Sequence, residues 1–197
     1  MNLKIIRELK LKKYVYQLST TELIIGTANY TFGFIPRKIS IIYNNDLFEL
    51  KQTSWLLKLI NSFPILNLET FTPFKYYVNG NYSGRSKKVP FKPVFHFTIN
   101  EDKYELCQHN KNYVSLMRND IQVALYRKED ETVLEMNTYN IKYDENSNME
   151  HSLLLIFCIF IDVTFYANSM NIAYLKYDKN YVIKNEYDER TLWDPND

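Results

Sequence analysis

The sequence predicts a mainly β protein, an antiparallel barrel closed around one hydrophobic C-terminal helix. Three observations lead there. From Lys38 to Tyr143 short stretches alternate apolar and polar residues. Polar turn signals separate those stretches at intervals of about ten residues, the rhythm of an antiparallel meander. The meander is followed by HSLLLIFCIFIDVTFYA, His151 to Ala167, a run that is apolar on every side until Asp162 interrupts it.

Taken in order, KISIIY places Ile39, Ile41 and Tyr43 on one face, and Asn44 to Asp46 turn the chain. Asn79-Gly80 in KYYVNGNY is a hairpin signal, because both positions tolerate positive φ. VFHFTI sets Phe95, Phe97 and Ile99 against His96 and Thr98, and Asn100 to Asp102 make the next turn. KYELCQ, YVSLM and IQVALYR follow, separated by NKN and RND; in the last of them Ile121, Val123 and Leu125 share a face. Lys128 to Glu131 close another hairpin, and NTYNIKY aligns Tyr139, Ile141 and Tyr143. SWLLKLINSFP stands apart, either a short helix from an N-cap at Ser54 to a stop at Pro64 or an irregular strand. No exact repeat and no Gly-, Ser- or Pro-rich linker occurs.

The uncharged run from Ser152 to Ile161 covers about 15 Å as a helix. A hydrocarbon core of about 30 Å needs about twice that, and Asp162 would fall inside any longer frame. A buried helix over about 149–167 follows, with Asn146, Ser147 or Asn148 as its N-cap and Glu150 in its first turn. A helix without a polar face needs apolar groups all round it, which a barrel closing about it supplies. The rival is a long central strand in a sandwich, since Ile156, Phe157, Ile159, Phe160, Ile161 and Val163 all favour strands. Asp162, beside so apolar a run, must reach solvent, pair with a cation or accept hydrogen bonds. A place at the barrel mouth suits it better than a proton-transfer role.

Composition excludes several classes. With 46% hydrophobic and 24% charged residues, the chain of 197 residues is globular rather than disordered, and one domain is expected. A net charge of +1 supplies no field for nucleic acid, so no nucleic-acid partner is expected. Cys107 and Cys158 make no disulfide framework, and Cys158 reads as a small buried hydrophobe. MNLKIIRELKLKKYVYQL lacks the uninterrupted apolar core of a signal peptide. A cytoplasmic protein without a transmembrane segment is the expectation.

YNIKYDE, then a polar loop and LLLIFCIFID, resembles the C-terminal end of the tubby-like superfamily. That group takes in the tubby C-terminal domain, the plant LURP-one-related proteins, the phospholipid scramblases and small bacterial relatives. VFHFTINEDKYELCQHNKNYVSLMRNDIQVALYRKE has the same strand-and-turn rhythm, so the likeness runs roughly from Tyr30 to Tyr166. It implies a closed barrel of about twelve strands with the helix threaded through it. Residues 1–167 would form that domain and 168–197 a C-terminal extension packed on it or trailing from it. The family usually stops soon after the helix, and Trp55 to Leu68 has no obvious counterpart in it. Both segments are expected to cover an edge or make a partner surface.

Chemistry-bearing constellations are sparse. His96, Cys107 and His109 lack the spacing of a familiar zinc site and read as ordinary strand residues. YSGRS is not a nucleophile elbow, and no dinucleotide or phosphate-binding glycine motif occurs. No catalytic residue, metal ligand or cofactor is expected, and the chain reads as non-enzymatic. The candidate site is the basic stretch NYSGRSKKVPFKP, with Arg85, Lys87, Lys88 and Lys92 and no acid between Glu69 and Glu101. It is either a solvated hairpin loop or a site for an anionic ligand or membrane surface. Lysines in the first twenty residues have the same two sides, a membrane-facing segment or an edge strand blunted by charge. The preferred function is a binding module for an anionic partner, a phospholipid headgroup at the membrane surface. The alternative is a structural or protein-interaction module whose acidic tail, with Trp193, makes the contact. Lipid scrambling ranks third, because the helix is too short to span and is needed in the core.

Overall fold

Local turn chemistry organises the sheet. In the computed structural model, which describes residues 2–10, 13–18, 24–29, 38–53, 73–89, 93–109, 112–129, 137–166 and 193, twelve strands precede one helix. They are β1 (Asn2–Lys10), β2 (Lys13–Leu18), β3 (Ile24–Asn29), β4 (Lys38–Tyr43), β5 (Asp46–Gln52) and β6 (Phe74–Val78). Then come β7 (Asn81–Lys88), β8 (Val94–Ile99), β9 (Asp102–Gln108), β10 (Tyr113–Arg118), β11 (Ile121–Lys128) and β12 (Asn137–Tyr143). Consecutive strands pair antiparallel throughout, and β1 pairs with β2 along one side and β12 along the other. The lysine-rich N-terminal segment is therefore not a free edge, which corrects the edge-strand expectation for it.

Four hairpin turns open on an asparagine with positive φ: Asn44 at 51°, Asn79 at 50°, Asn100 at 53° and Asn119 at 50°. Asn45, Gly80 and Asp120 follow at 69°, 83° and 68°, so three of these turns have both central residues left-handed, the geometry that matches strand twist. Asn79 and Asn119 also tie each hairpin to its neighbour. Asn79 Nδ2 donates to Asp46 Oδ1 at 2.8 Å while its Oδ1 accepts from the Leu47 amide at 2.8 Å. Asn119 repeats this on Asp102 at 2.8 Å and on the Lys103 amide at 3.0 Å. The strands that receive these bonds match in sequence, DLFELKQ in β5 and DKYELCQ in β9. A degenerate repeat thus underlies the sheet where the sequence shows no exact one.

One face of the sheet packs on the helix α1 (His151–Ile161). Every residue from Ser152 to Ile161 is buried, and Phe157 and Phe160 meet rings from several strands. Phe160 lies 5.1 Å from Phe74, 5.0 Å from Phe95 and 5.0 Å from Phe97, all edge-to-face, a geometry that adds stabilisation beyond area. The apolar run is a helix, and the strand alternative is set aside. It is shorter than expected: Glu150 is the N-cap rather than a first-turn residue, and Asp162–Tyr166 continue as one π-helical turn. Asn146, Ser147 and Asn148 do not cap it; Glu145–Ser147 form a separate 3₁₀ turn capped by Asp144, with Asn148 left-handed after it.

Strand faces follow the alternation with one exception. Ile39 and Ile41, then Phe95, Phe97 and Ile99, then Tyr139, Ile141 and Tyr143 are buried as expected. In β11 the pairing with β10 shifts at Leu116/Met117, a bulge that places two residues opposite one. Val123, Ala124 and Tyr126 consequently join the helix-facing core, whereas Ile121 is 69% exposed. Ile121, Val123 and Leu125 do not share a buried face, because the extra residue reverses the alternation midway. SWLLKLINSFP and the C-terminal extension, except Trp193, lie outside the described residues, as do Asp130 and Glu131 of the turn at Lys128 to Glu131.

Candidate functional site

Arg85, Lys87 and Lys88 belong to strand β7, not to a hairpin loop. Tight turns at Asn79-Gly80 leave no loop there, and Gly84 lets β7 approach β8 closely. A methyl at Gly84 would sit 2.3 Å from the Thr98 carbonyl oxygen and 2.8 Å from the Ile99 Cα. Alternation then divides the basic residues. Arg85 and Lys87 are exposed between buried Gly84 and Ser86, and Ser86 Oγ accepts a 2.9 Å bond from the Phe74 amide. Lys88 is half-buried on the other phase, its Nζ 6.0 Å from the centre of the buried Phe95 ring. Lys92 lies outside the described residues. Arg85, Lys87 and Lys88 are therefore strand residues on two faces rather than a hairpin loop.

Strand register builds a different cluster. Lys38 stands opposite Lys51, Lys51 opposite Lys75, and Lys75 opposite Arg85. Arg85 stands opposite Thr98, and Thr98 opposite Lys103. Directly opposed residues project to the same side of a sheet, so five cations and one threonine form a single row across β4 to β9. At about 4.8 Å per strand the row is roughly 24 Å long. Lys38, Lys75, Arg85, Thr98 and Lys103 are exposed and Lys51 is half-buried.

Charge along the row is unevenly balanced. Glu49, buried beneath its end, pairs with Lys38 at 2.7 Å and with Lys51 at 2.6 Å. Burial alone would raise the Glu49 pKa, but hydrogen bonds and charge from the two lysines outweigh it and hold the carboxyl below its ordinary value. Lys51 also lies 4.9 Å from the centre of the Tyr77 ring, a cation–π distance. Lys75, Arg85, Lys87 and Lys103 make no ion pair among the described residues. In the neighbouring row, Lys87 stands opposite His96, whose Nε2 lies 3.1 Å from Glu105 Oε2. Like charges opposed in a sheet lower its stability, and Lys75 and Arg85 are such a pair, exposed and without an ion pair among the described residues.

The histidine and cysteine candidates are dispersed. His96 is engaged with Glu105, and His109 Nε2 lies 2.8 Å from Ser115 Oγ in a buried contact. His151 sits between two phenols, Tyr43 Oη 3.2 Å from Nδ1 and Tyr143 Oη 2.9 Å from Nε2, so its ring orients the first turn of α1. No three His, Cys, Asp or Glu side chains converge as metal ligands among the described residues. Cys107 and Cys158 are both buried free thiols, and burial, reinforced by the nearby Asp162 charge, pushes the Cys158 thiol far up, which makes it inert. Asp162 is not at a solvent mouth. It is fully buried and accepts hydrogen bonds from Tyr16, at 2.6 Å, and from Tyr139. Among the described residues no helix is long and apolar enough to cross a membrane.

Of this row the sequence pointed to Arg85 alone. Lys38, Lys51, Lys75 and Lys103 were missed because each lies alone in its own strand; counting outward from each asparagine turn would have paired Lys38 with Lys51 and Thr98 with Lys103. Comparison with protein-family models, with curated proteins and with solved structures returns no match.

Proposed function

We propose that this chain is a non-enzymatic, tubby-like module, a closed barrel around α1 that binds anionic phospholipid headgroups at a membrane surface through the cross-strand cation row. The pairing of β1 with both β2 and β12 supports closure, and the all-round burial of α1 supports its central place. The observation that carries the function is the opposition of Lys75 and Arg85 within a five-cation row that holds one carboxylate. The row follows the curve of six strands, so its central members Lys75 and Arg85 can meet an anionic surface together, each contributing about 1 kcal/mol at short range. Arg85 brings a planar fork of donors suited to phosphate, and the lysines act as point charges.

Titration with neutral, anionic and phosphoinositide-containing vesicles tests this reading. Wild-type protein binds the anionic vesicles, and binding falls as salt rises, since exposed charges are screened over about 10 Å at 0.1 M ionic strength. Arg85→Glu with Lys87→Glu weakens binding at least about tenfold without changing the melting temperature. Arg127→Glu, an exposed cation of β11 outside the row, leaves binding unchanged. A wild-type protein that ignores anionic vesicles at low salt refutes the lipid reading.

A further inference from the structure

A second site of opposite charge lies at the end of the sheet where the asparagine turns gather over the start of α1. Two adjoining cavities open there, of about 420 and 450 Å³, and they share Asp46, Phe48 and Glu150. Either volume falls in the range of small-molecule sites. The first cavity is mainly polar: Phe48, Val78, Ile99 and Leu153 stand in its wall, but Asp46, Asp102, Glu150 and Arg118 also line it.

These acids are not equivalent. Asp102 is saturated by Arg118, whose Nη2 and Nε donate at 2.6 and 3.1 Å, and by Asn119. In the matching hairpin Asp46 receives Asn79 on Oδ1, but Val78 stands where the arginine would be, and Oδ2 accepts nothing among the described residues. Glu150 accepts one bond, from Ser152 Oγ at 3.2 Å on Oε2. Arg118 is held chiefly by Asp102 and its charge also reaches Glu150, so the cavity keeps a net negative charge, and exposed Asp46 makes no ion pair among the described residues.

Tyr76 points to a ligand independently of the acids. Its side chain lines this cavity and is only 2% exposed, yet its hydroxyl has no hydrogen-bond partner among the described residues. The hydroxyl itself is open to the cavity, so it can donate into it. Burial, then the charge of Glu150 and the neighbouring Tyr104, raises its pKa; burial likewise pushes Tyr104 up to about 12. Both phenols therefore remain protonated donors, and Tyr76 offers its proton to the cavity.

We infer that this cavity binds a small amino alcohol, its ammonium group held by Asp46 and Glu150 against the Phe48 and Tyr104 rings and its oxygen accepting from the Tyr76 hydroxyl. The carboxylates supply charge, the aromatic faces supply cation–π attraction, and the unpaired phenol requires an acceptor on the same molecule. A bare divalent cation fits less well, because no three carboxylates converge on one point among the described residues. An inorganic anion is repelled. The amino alcohol has two sources, a free amine such as ethanolamine or choline, or the same group at the head of a zwitterionic lipid.

Calorimetric titration with ethanolamine and choline, beside flotation with electrically neutral phosphatidylethanolamine and phosphatidylcholine vesicles, tests the site without engaging the cation row. Saturable binding in either arm is expected, and the responding arm identifies the source. Tyr76→Phe weakens it about tenfold, the loss of one hydrogen bond at a charged, buried site. Asp46→Asn with Glu150→Gln abolishes it, while Arg85→Glu has no effect. No saturation in either arm up to about 10 mM amine, binding that survives Tyr76→Phe unchanged, or heat released only by magnesium or calcium ions each overturns the proposal. Failure here leaves the anionic-vesicle result untouched, so the two readings are separable.

Discussion

The Tyr16 hydroxyl donates a 2.6 Å hydrogen bond to the Asp162 carboxylate across 146 positions of sequence. This bond, with its counterpart from Tyr139, lets a fully buried carboxylate end α1 inside an apolar core. Bonds to a charged group are worth about 1.5–3 kcal/mol, and a buried acceptor left short costs its desolvation. Tyr16→Phe and Tyr139→Phe should each lower the unfolding free energy in urea by about that much. Tyr82→Phe, at a side chain 58% exposed, should change nothing.

Glu49 makes stability depend on acid. Its pKa in the folded chain lies below the ordinary 4.5, so the folded state binds fewer protons than the unfolded one near that value. The stabilisation is complete above pH 4.5 and is lost as pH falls through the lowered folded value. Asp102, held down chiefly by its hydrogen bond from Arg118, adds a similar loss below its ordinary 3.8. Thermal melts of Glu49→Gln against pH should show a flatter acid limb than wild type, and Glu49→Gln with Asp102→Asn a flatter one still.

Gly84 is a packing requirement. Because a Cβ there would collide with β8 backbone at 2.3 Å, Gly84→Ala must push two paired strands apart. Overpacking costs of about 1–3 kcal/mol are a lower bound when the obstacle is main chain. Gly80→Ala is an informative contrast. Space is open there, but φ of 83° strains an L side chain, so a smaller loss of about 1 kcal/mol is expected.

Leu154 and Ile159 are fully buried on α1. Leu154→Asp or Ile159→Asp places an unpaired charge where no partner can follow. Neither variant should show a cooperative urea transition, whereas Leu154→Ala should fold with a loss of about 2–5 kcal/mol. A sharp, wild-type-like melt of either Asp variant would contradict the helix as core.

Thr98 is the one neutral position in the cation row. Thr98→Lys should tighten anionic-vesicle binding about fivefold, one further charge near the surface, while lowering stability by up to about 1 kcal/mol because it opposes Arg85 and Lys103; Thr98→Glu should weaken binding without that loss.

The sequence by itself determined the strands from Lys38 to Tyr143, the asparagine turns and the existence of an all-round apolar helix. Each is a local property: alternation reports which side a residue takes, Asn-Gly and its relatives need no distant partner to adopt positive φ, and ten uncharged residues must be buried wherever they go. Tertiary structure decided the rest. The repeat between β5 and β9 shows in the grip of Asn79 and Asn119 on matching aspartates, because its identical residues lie in short strands far apart in the chain. The bulge at Leu116/Met117 moved Ala124 inside and Ile121 out, since one added residue reverses a period of two. Arg85 was legible as basic and exposed, but its alignment with Lys75 depends on a register shift at Tyr76/Tyr77, and that of Lys75 with Lys51 on the register between β5 and β6, which no short turn joins. That register is set by packing the whole sheet on α1, which no local stretch of sequence encodes. Tyr16 meets Asp162 for the same reason.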